Sequence, residues 1–303
     1  MIRDYHGISG DLKHVNNWDI SGVADLPAGG KLDLTELGLG ETSMRVRVGR
    51  NLKDFPLPGN MTQDDRVTLE GRMITAFKTL MADPSFGGTY HTLTPDTEFS
   101  IDEAQYQALV DEHIMFKDMS VDPYLLSAGI SMHWPYGRGC YVSEDRGFIV
   151  WVGEEDHLRI MCMKMGTVLN EVFDRLESCL KVIEGCEGCV FAKSEQYGYV
   201  TSCPTNLGSG MRASLHLALP ALTKAGQDVS EAKAVAKTLG LSVRGIGGEH
   251  TAAGADGTVD ISPSARLCIQ EAEIVAALYK GVRNLTSHEQ VARWAPTFPP
   301  VGF

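Results

Sequence analysis

The segment Met211-Arg-Ala-Ser-Leu-His-Leu-Ala-Leu219 constrains this chain more than any other. It sets Arg212, Ser214 and His216 at alternate positions, with Met211, Ala213, Leu215, Leu217 and Leu219 around them. Side chains along a strand point to opposite faces with period two, so the pattern predicts a strand with one apolar and one cationic face. The apolar face must be buried. The cationic face needs a partner, and an anion lying across the sheet supplies one. Just upstream, Thr201-Ser-Cys-Pro-Thr-Asn-Leu-Gly-Ser-Gly210 places a single cysteine, Cys203, ahead of a glycine-rich turn.

The same alternation recurs in Ser43-Met-Arg-Val-Arg-Val-Gly-Arg50, with Ser43, Arg45 and Arg47 on one face. Residues 147–163 read as a strand, a turn near Gly153–Asp156 and a returning strand, and 241–245 and 258–261 read as two more. Helical spacing predicts helices over 62–82, 167–184 and 270–286. Capping boxes at Ser100–Glu103 and Asp228–Glu231 open helices that run to about His113 and Leu239. Strands are not followed one for one by helices, which disfavours a doubly wound parallel sheet. The expected class is α+β, a large, mostly antiparallel sheet flanked by helices. Residues 1–42 read as an extended lead-in, 43–286 as the main domain, and 287–303, with Pro296, Pro299 and Pro300, as a C-terminal tail.

Composition removes several functions. The net charge of −12 disfavours broad binding to nucleic acid or an anionic membrane. No apolar run approaches the roughly 18 residues of a membrane span, and the N-terminus lacks a signal-peptide apolar region. Seven cysteines, mostly within apolar segments, fit reduced thiols in a cytoplasmic protein. Cys186-Glu-Gly-Cys189 is an isolated pair, better read as a loop with incidental thiols than as a metal or redox site.

Against that acidic background, Arg45, Arg47, Arg159, Arg212 and Arg244 stand out, each in an otherwise apolar strand-like segment. Taken singly, a surface ion pair explains each of them. Projecting together from one sheet, they would cradle a polyanion such as a nucleoside triphosphate. There is no GxxxxGK[ST] loop, so the cradle is not of the P-loop type. Glu154-Glu-Asp156 is either a solvated turn or a carboxylate cluster aimed at a cation. Glu249 lies in the glycine-rich stretch Gly245–Gly257, either for solubility or carried by a closing loop. Cys203 is either a core thiol or, beside arginines, a reactive one. His113 and His216 are either sheet histidines or contacts to a base or phosphate.

These blocks resemble the phosphagen (guanidino) kinases, the arginine and creatine kinases. Val200–His216 resembles the family signature, and Gly153-Glu-Glu-Asp-His-Leu-Arg-Ile160, Ser43–Arg50, Val243–Thr251 and His133-Trp-Pro-Tyr-Gly-Arg-Gly139 resemble four further blocks, in order over roughly residues 1–286. The resemblance implies a guanidino kinase/glutamine synthetase-like catalytic domain, an ATP:guanido phosphotransferase over 43–286. The implied reaction is reversible phosphoryl transfer between MgATP and a guanidino compound. It further implies that Arg45, Arg47, Arg159, Arg212 and Arg244 bind the nucleotide phosphates, with Ser43, His113, His216 and Asp260 around the nucleotide. Glu155 and Glu249 would hold the guanidinium, Cys203 would touch one of its nitrogens, and Glu154 would reach Mg2+ through water. ATP or ADP and the guanidine are the expected partners, and a monomer and a homodimer are both compatible.

The chain also departs from the family pattern. Gly153 stands where asparagine is usual, which is expected to loosen the turn before Glu154, and Ile246 replaces a threonine. Glu249 is arginine-kinase-like, whereas Ala252-Ala253 is creatine-kinase-like. Ile2–Gly7 resembles the segment following the family's small N-terminal helical domain, so the reading is a catalytic domain without that domain. Arginine is the expected guanidine. A protein-arginine kinase and an inactive nucleotide-binding domain are the alternatives.

Overall fold

The alternating segments become neighbouring strands. The computed structural model describes residues 2–11, 13–247 and 251–294. Its strands are β1 Thr42–Arg50, β2 Gly88–Thr92, β3 Gly139–Ser143, β4 Phe148–Val152, β5 Leu158–Gly166, β6 Lys193–Ser194, β7 Gly198–Tyr199, β8 Met211–Ala218, β9 Leu241–Arg244 and β10 Thr258–Pro263. The helices are α1 Ile2–Tyr5, α2 Gln63–Ala82, α3 Glu103–Asp111, α4 Pro123–Ser127, α5 Leu169–Glu184, α6 Ser230–Thr238 and α7 Glu271–Trp294. Strands β6 and β7 form a small hairpin. The other strands make one eight-stranded sheet in the order β2-β3-β4-β5-β1-β8-β10-β9, antiparallel at each pairing.

One face of the sheet carries Met44, Val46, Val48, Ala213 and Leu215, which pack with Leu69, Met73 and Phe77 of α2, Val172 and Leu176 of α5, and Ile274 and Leu278 of α7. Burying these side chains supplies the main stabilisation, on the order of 1.5–3 kcal/mol for each fully buried large one. The opposite face holds a smaller apolar cluster of Tyr106, Ile114, Met115, Phe116, Cys140, Ile149 and Met161. The lead-in wraps the first core. Leu32 and Leu34 are fully buried in it, and the amides of Leu34 and Leu32 donate to Thr167 O and Asn170 Oδ1.

Several elements differ from expectation. Helix α6 opens without the Asp228–Glu231 capping box, Asp228 Oδ1 accepting instead from Ser230 N at 2.9 Å. The capping box of α3 is formed by Asp102 and Gln105, not by Ser100 and Glu103. Ser100 is diverted, its hydroxyl donating to Thr94 O at 2.7 Å. Helix α7 does not stop at 286. Glu289 is buried, and its carboxylate accepts from the amides of Ala221 and Leu222 at 2.9 and 3.0 Å. That contact fixes another turn of helix, so residues 287–294 are helical rather than tail. Strands β2 and β3 went unanticipated. In β3, Cys140 belongs to one apolar cluster and Tyr141 to the other, and burial on both faces erases the alternation that marks a strand.

Candidate active site

Register decides which side chains meet. Residues directly opposite in an antiparallel pair share a face. Arg47 lies opposite Arg212 on β8 and Met161 on β5, and Arg45 opposite Ser214 and Met163. Arg159 pairs with Gly49 and with Trp151, and Asp260 pairs with both His216 and Arg244. The five arginines therefore project from one face, the face turned away from α2, α5 and α7.

A cavity of about 590 Å³ opens on that face, lined by Ser43, Arg45, Arg47, His113, Glu154, His216 and Asp260 among others. Arg212 sits beneath it, its guanidinium paired with Asp260 and its Nε–H donating to Ser262 Oγ at 3.2 Å. Burial, then repulsion from Arg159, Arg45 and Arg212, pulls the pKa of Arg47 well down, while Glu154 opposes the shift. Arg45 is lowered too, first by burial and then by Arg159 and Arg244, against Asp260. A guanidinium stays protonated at neutral pH. Burial and mutual repulsion thus both disfavour these charges, and a bound polyanion would offset that.

At the edge of the cradle stands the carboxylate turn. Arg159 Nη2 contacts Glu154 at 2.8 Å and Glu155 at 3.4 Å. Glu155 is held above the usual carboxylate range, first by burial and second by the charge of Glu154. Beyond the turn, His157 Nδ1 accepts from Leu52 N at 2.9 Å while Nε2 faces Pro56 O at 2.8 Å, which assigns the proton to Nε2. Burial lowers its pKa to about 4, so it stays neutral.

Gly153 does not loosen this turn. Its φ is +72°, its amide donates to His157 O at 2.9 Å, and its carbonyl accepts from Arg138 Nε at 3.1 Å. A Cβ here would stand 2.3 Å from Gly137 O. Both the left-handed conformation and the contact demand glycine. Gly153→Ala is expected to cost about 1–3 kcal/mol, read as a lowered midpoint in chemical denaturation.

Cys203 does not line the cavity. It precedes the turn Pro204–Asn206, half-buried, with Sγ 3.0 Å from Thr205 Oγ1. Its loop is tied to the carboxylate turn through Asp156, which accepts from Ser202 N at 2.6 Å. Glu249 lies outside the described residues, whereas Ile246 and Gly247 of the same loop line the cavity.

Sequence reasoning missed the apolar wall, formed by Ile114, Met115, Phe116, Ile149, Trp151, Met161 and Met163. Trp151 Nε1–H donates to Ile114 O at 2.6 Å, and the Arg159 guanidinium lies 5.4 Å from its ring centre. Alternation offered a signal, since Met161 and Met163 fall on the arginine face and Ile160 and Cys162 on the other. Also missed were Lys117 and Arg146 at the cavity, the latter paired with Glu112 at 2.8 Å. For Mg2+ the donor set is sparse. Among the described residues no group of three or more His, Cys, Asp or Glu could hold an ion, and the acidic residues that line the cavity are each paired with an arginine: Glu154 with Arg159, Asp260 with Arg212 and Glu112 with Arg146. That suits an ion carried mainly by phosphate oxygens and water.

The comparisons define the class. The family model for ATP:guanido phosphotransferase, C-terminal catalytic domain, matches residues 68–292. This chain belongs to that family. It is 37% identical over 290 residues to a taurocyamine kinase of Schistosoma mansoni, covering 96% of this chain and 36% of that protein. It is 35% identical over 295 residues to an arginine kinase of Polybetes pythagoricus, covering 96% of this chain and 76% of the other. A lombricine kinase crystal structure superposes with a TM-score of 0.81 at 30% identity, covering 96% of this chain and 76% of that one. The chain thus spans about a third of the taurocyamine kinase and about three quarters of the other two. Among the described residues, no helix is long and apolar enough to cross a membrane.

Proposed function

We propose that this chain catalyses reversible transfer of the ATP γ-phosphate to a guanidinium nitrogen of a small guanidino compound, with arginine as the preferred substrate. The observation that carries it is the arginine face, which ends at a partly buried carboxylate turn tied to the Cys203 loop. Nucleotide phosphates lie over Arg45, Arg47, Arg159, Arg212 and Arg244. The base end lies in the cavity near Ser43, His113 and His216, against the Trp151–Met163 wall, with Asp260 holding Arg212. Mg2+, bound with the nucleotide and reached by Glu154 through water, would neutralise phosphate charge.

A guanidinium is protonated far above neutral pH and is a poor nucleophile. Glu155 and Glu249 orient it in line with the γ-phosphorus, and Cys203 contacts a nitrogen. As the N–P bond forms and the bridging O–P bond to ADP breaks, one N–H proton passes to a carboxylate, for which Glu155 is placed. The arginines stabilise charge on the transferring group. Relatives named for arginine, taurocyamine and lombricine leave the substrate class broad, and Glu249 supports arginine through its resemblance. All seven cysteines are free, which supports a reducing, cytoplasmic setting.

The deciding experiment offers labelled ATP with arginine, taurocyamine, creatine or a protein bearing surface arginines, and follows the phosphate. Phosphoarginine as the main product is expected, and Cys203→Ala should depress its formation far more than nucleotide binding. Phosphate on the protein substrate alone would indicate a protein-arginine kinase. Nucleotide binding without transfer to any acceptor would reduce the chain to a nucleotide-binding module.

A further inference from the structure

Asp156 is the one acidic residue of the turn Glu154–Asp156 that is buried. Its residue is 3% exposed. Oδ1 accepts from Asn51 Nδ2 at 2.8 Å and from Ser202 N at 2.6 Å. Oδ2 is pressed against β1, where a Cβ on Gly49 would stand 2.4 Å away. Asn51, itself 1% exposed, completes the knot. Its Nδ2 also donates to Val200 O at 3.0 Å, and its Oδ1 accepts from His157 N at 2.8 Å. Three stretches distant in sequence are thereby pinned at one buried point: the end of β1, the carboxylate turn, and the approach to Cys203. Asp156 follows Glu155 directly, and Ser202 precedes Cys203 directly.

We propose that Asp156 is a positioning residue that sets the separation between the Glu155 carboxylate and the Cys203 thiol, and so the width of the guanidine subsite. The inference rests on the reading that places a guanidine between those two groups. Both donors reach the same oxygen, and the second oxygen is walled off by glycine backbone. The role therefore depends on the Oδ1 acceptor and not on a charge presented to substrate. A carboxylate buried this way is costly unless its acceptors are satisfied, and here the satisfying groups are the very segments it fixes.

The test compares Asp156→Ala and Asp156→Asn in the full chain. Asparagine keeps the Oδ1 acceptor and removes the charge, whereas alanine removes both. Expected for Asp156→Ala is a fall of about 10²-fold in kcat/KM for the guanidine, the scale of an ångström-sized misplacement, with the ATP Kd unchanged. Asp156→Asn should recover most of that loss. Cys203 alkylation by iodoacetamide, followed by peptide mass spectrometry, reads the same geometry without turnover. It should change in rate in Asp156→Ala and stay at the wild-type rate in Asp156→Asn. If Asp156→Ala does not fold, Asn51→Ala removes the partner donor and should give the same guanidine-selective defect.

Equal defects in the alanine and asparagine variants would assign Asp156 a charge-dependent role and overturn the proposal. So would parallel losses in ATP and guanidine binding, or an unchanged alkylation rate in Asp156→Ala. A wild-type chain that phosphorylates no guanidine would defeat the proposed reaction, while the alkylation comparison would still decide the positioning role.

Discussion

Glu155→Gln is expected to lower kcat for guanidine phosphorylation by about 10²–10⁴-fold, the range for removing a general base, while leaving the ATP Kd unchanged. Its carboxylate is partly buried, lies 3.4 Å from Arg159, and stands at the edge of the arginine face rather than in the cavity lining. Glutamine keeps the shape and one acceptor oxygen but cannot take the proton the guanidinium must lose. Equal losses in turnover and nucleotide affinity would instead make Glu155 part of the phosphate site. Single-turnover kinetics and nucleotide titration separate the two outcomes.

The same residue sets a pH signature. Burial first, and the Glu154 charge second, raise the Glu155 pKa. A base must be deprotonated, so phosphorylation of the guanidine falls as pH drops through that raised value. The acid limb then lies above that of an ordinary carboxylate. In the reverse direction the nitrogen must be protonated, and the rate falls as pH rises through the same value. Glu154→Gln removes the second cause and should move the acid limb of the forward reaction to lower pH. A limb that stays in place would assign it to another group.

What could be read in the sequence follows from how local each signal is. Arg45, Arg47, Arg212 and His216 announce their face through period-two alternation, and the antiparallel register brings them together. Trp151, Met161 and Met163 alternate in the same way. Apolar residues on a ligand wall look like core, however, and only the register beside Arg45 and Arg47 shows where they face. The Asn51–Asp156 hydrogen bond joins positions 105 apart, and no periodicity reports such a pairing. Gly153 departs from its family's usual residue, a change that read alone predicts a looser turn, whereas the nearby Gly137 carbonyl leaves no room for a Cβ and the Arg138 side chain binds its carbonyl. The end of α7 is likewise tertiary. Glu289 looks like solvated tail until the amides of Ala221 and Leu222 appear beside it.

Arg47→Met carries the opposite consequences for binding and for stability. In the free protein Arg47 is half-buried among Arg45, Arg159 and Arg212, and its surroundings disfavour its charge. Methionine has a similar reach and no charge. Replacing a poorly compensated buried cation by an apolar side chain is often neutral or stabilising, so the nucleotide-free variant should melt at or above the wild-type temperature. Nucleotide reverses the order. A ligand at about 100 times its Kd stabilises the folded state by about 2.7 kcal/mol. The wild type should therefore gain several degrees in Tm with ATP, and the variant, lacking a central phosphate contact, should gain far less at the same concentration. Turnover should fall with affinity, because charge on the transferring phosphoryl group loses the same cation. A variant that melts lower when free and keeps its ATP-induced shift would show that Arg47 supports the fold and not the polyanion. Thermal melts across an ATP titration, with and without Mg2+, distinguish these outcomes. The direction of the free-state change is the sharper arm, since it tests whether the sheet holds its arginines together at a cost that only the nucleotide offsets.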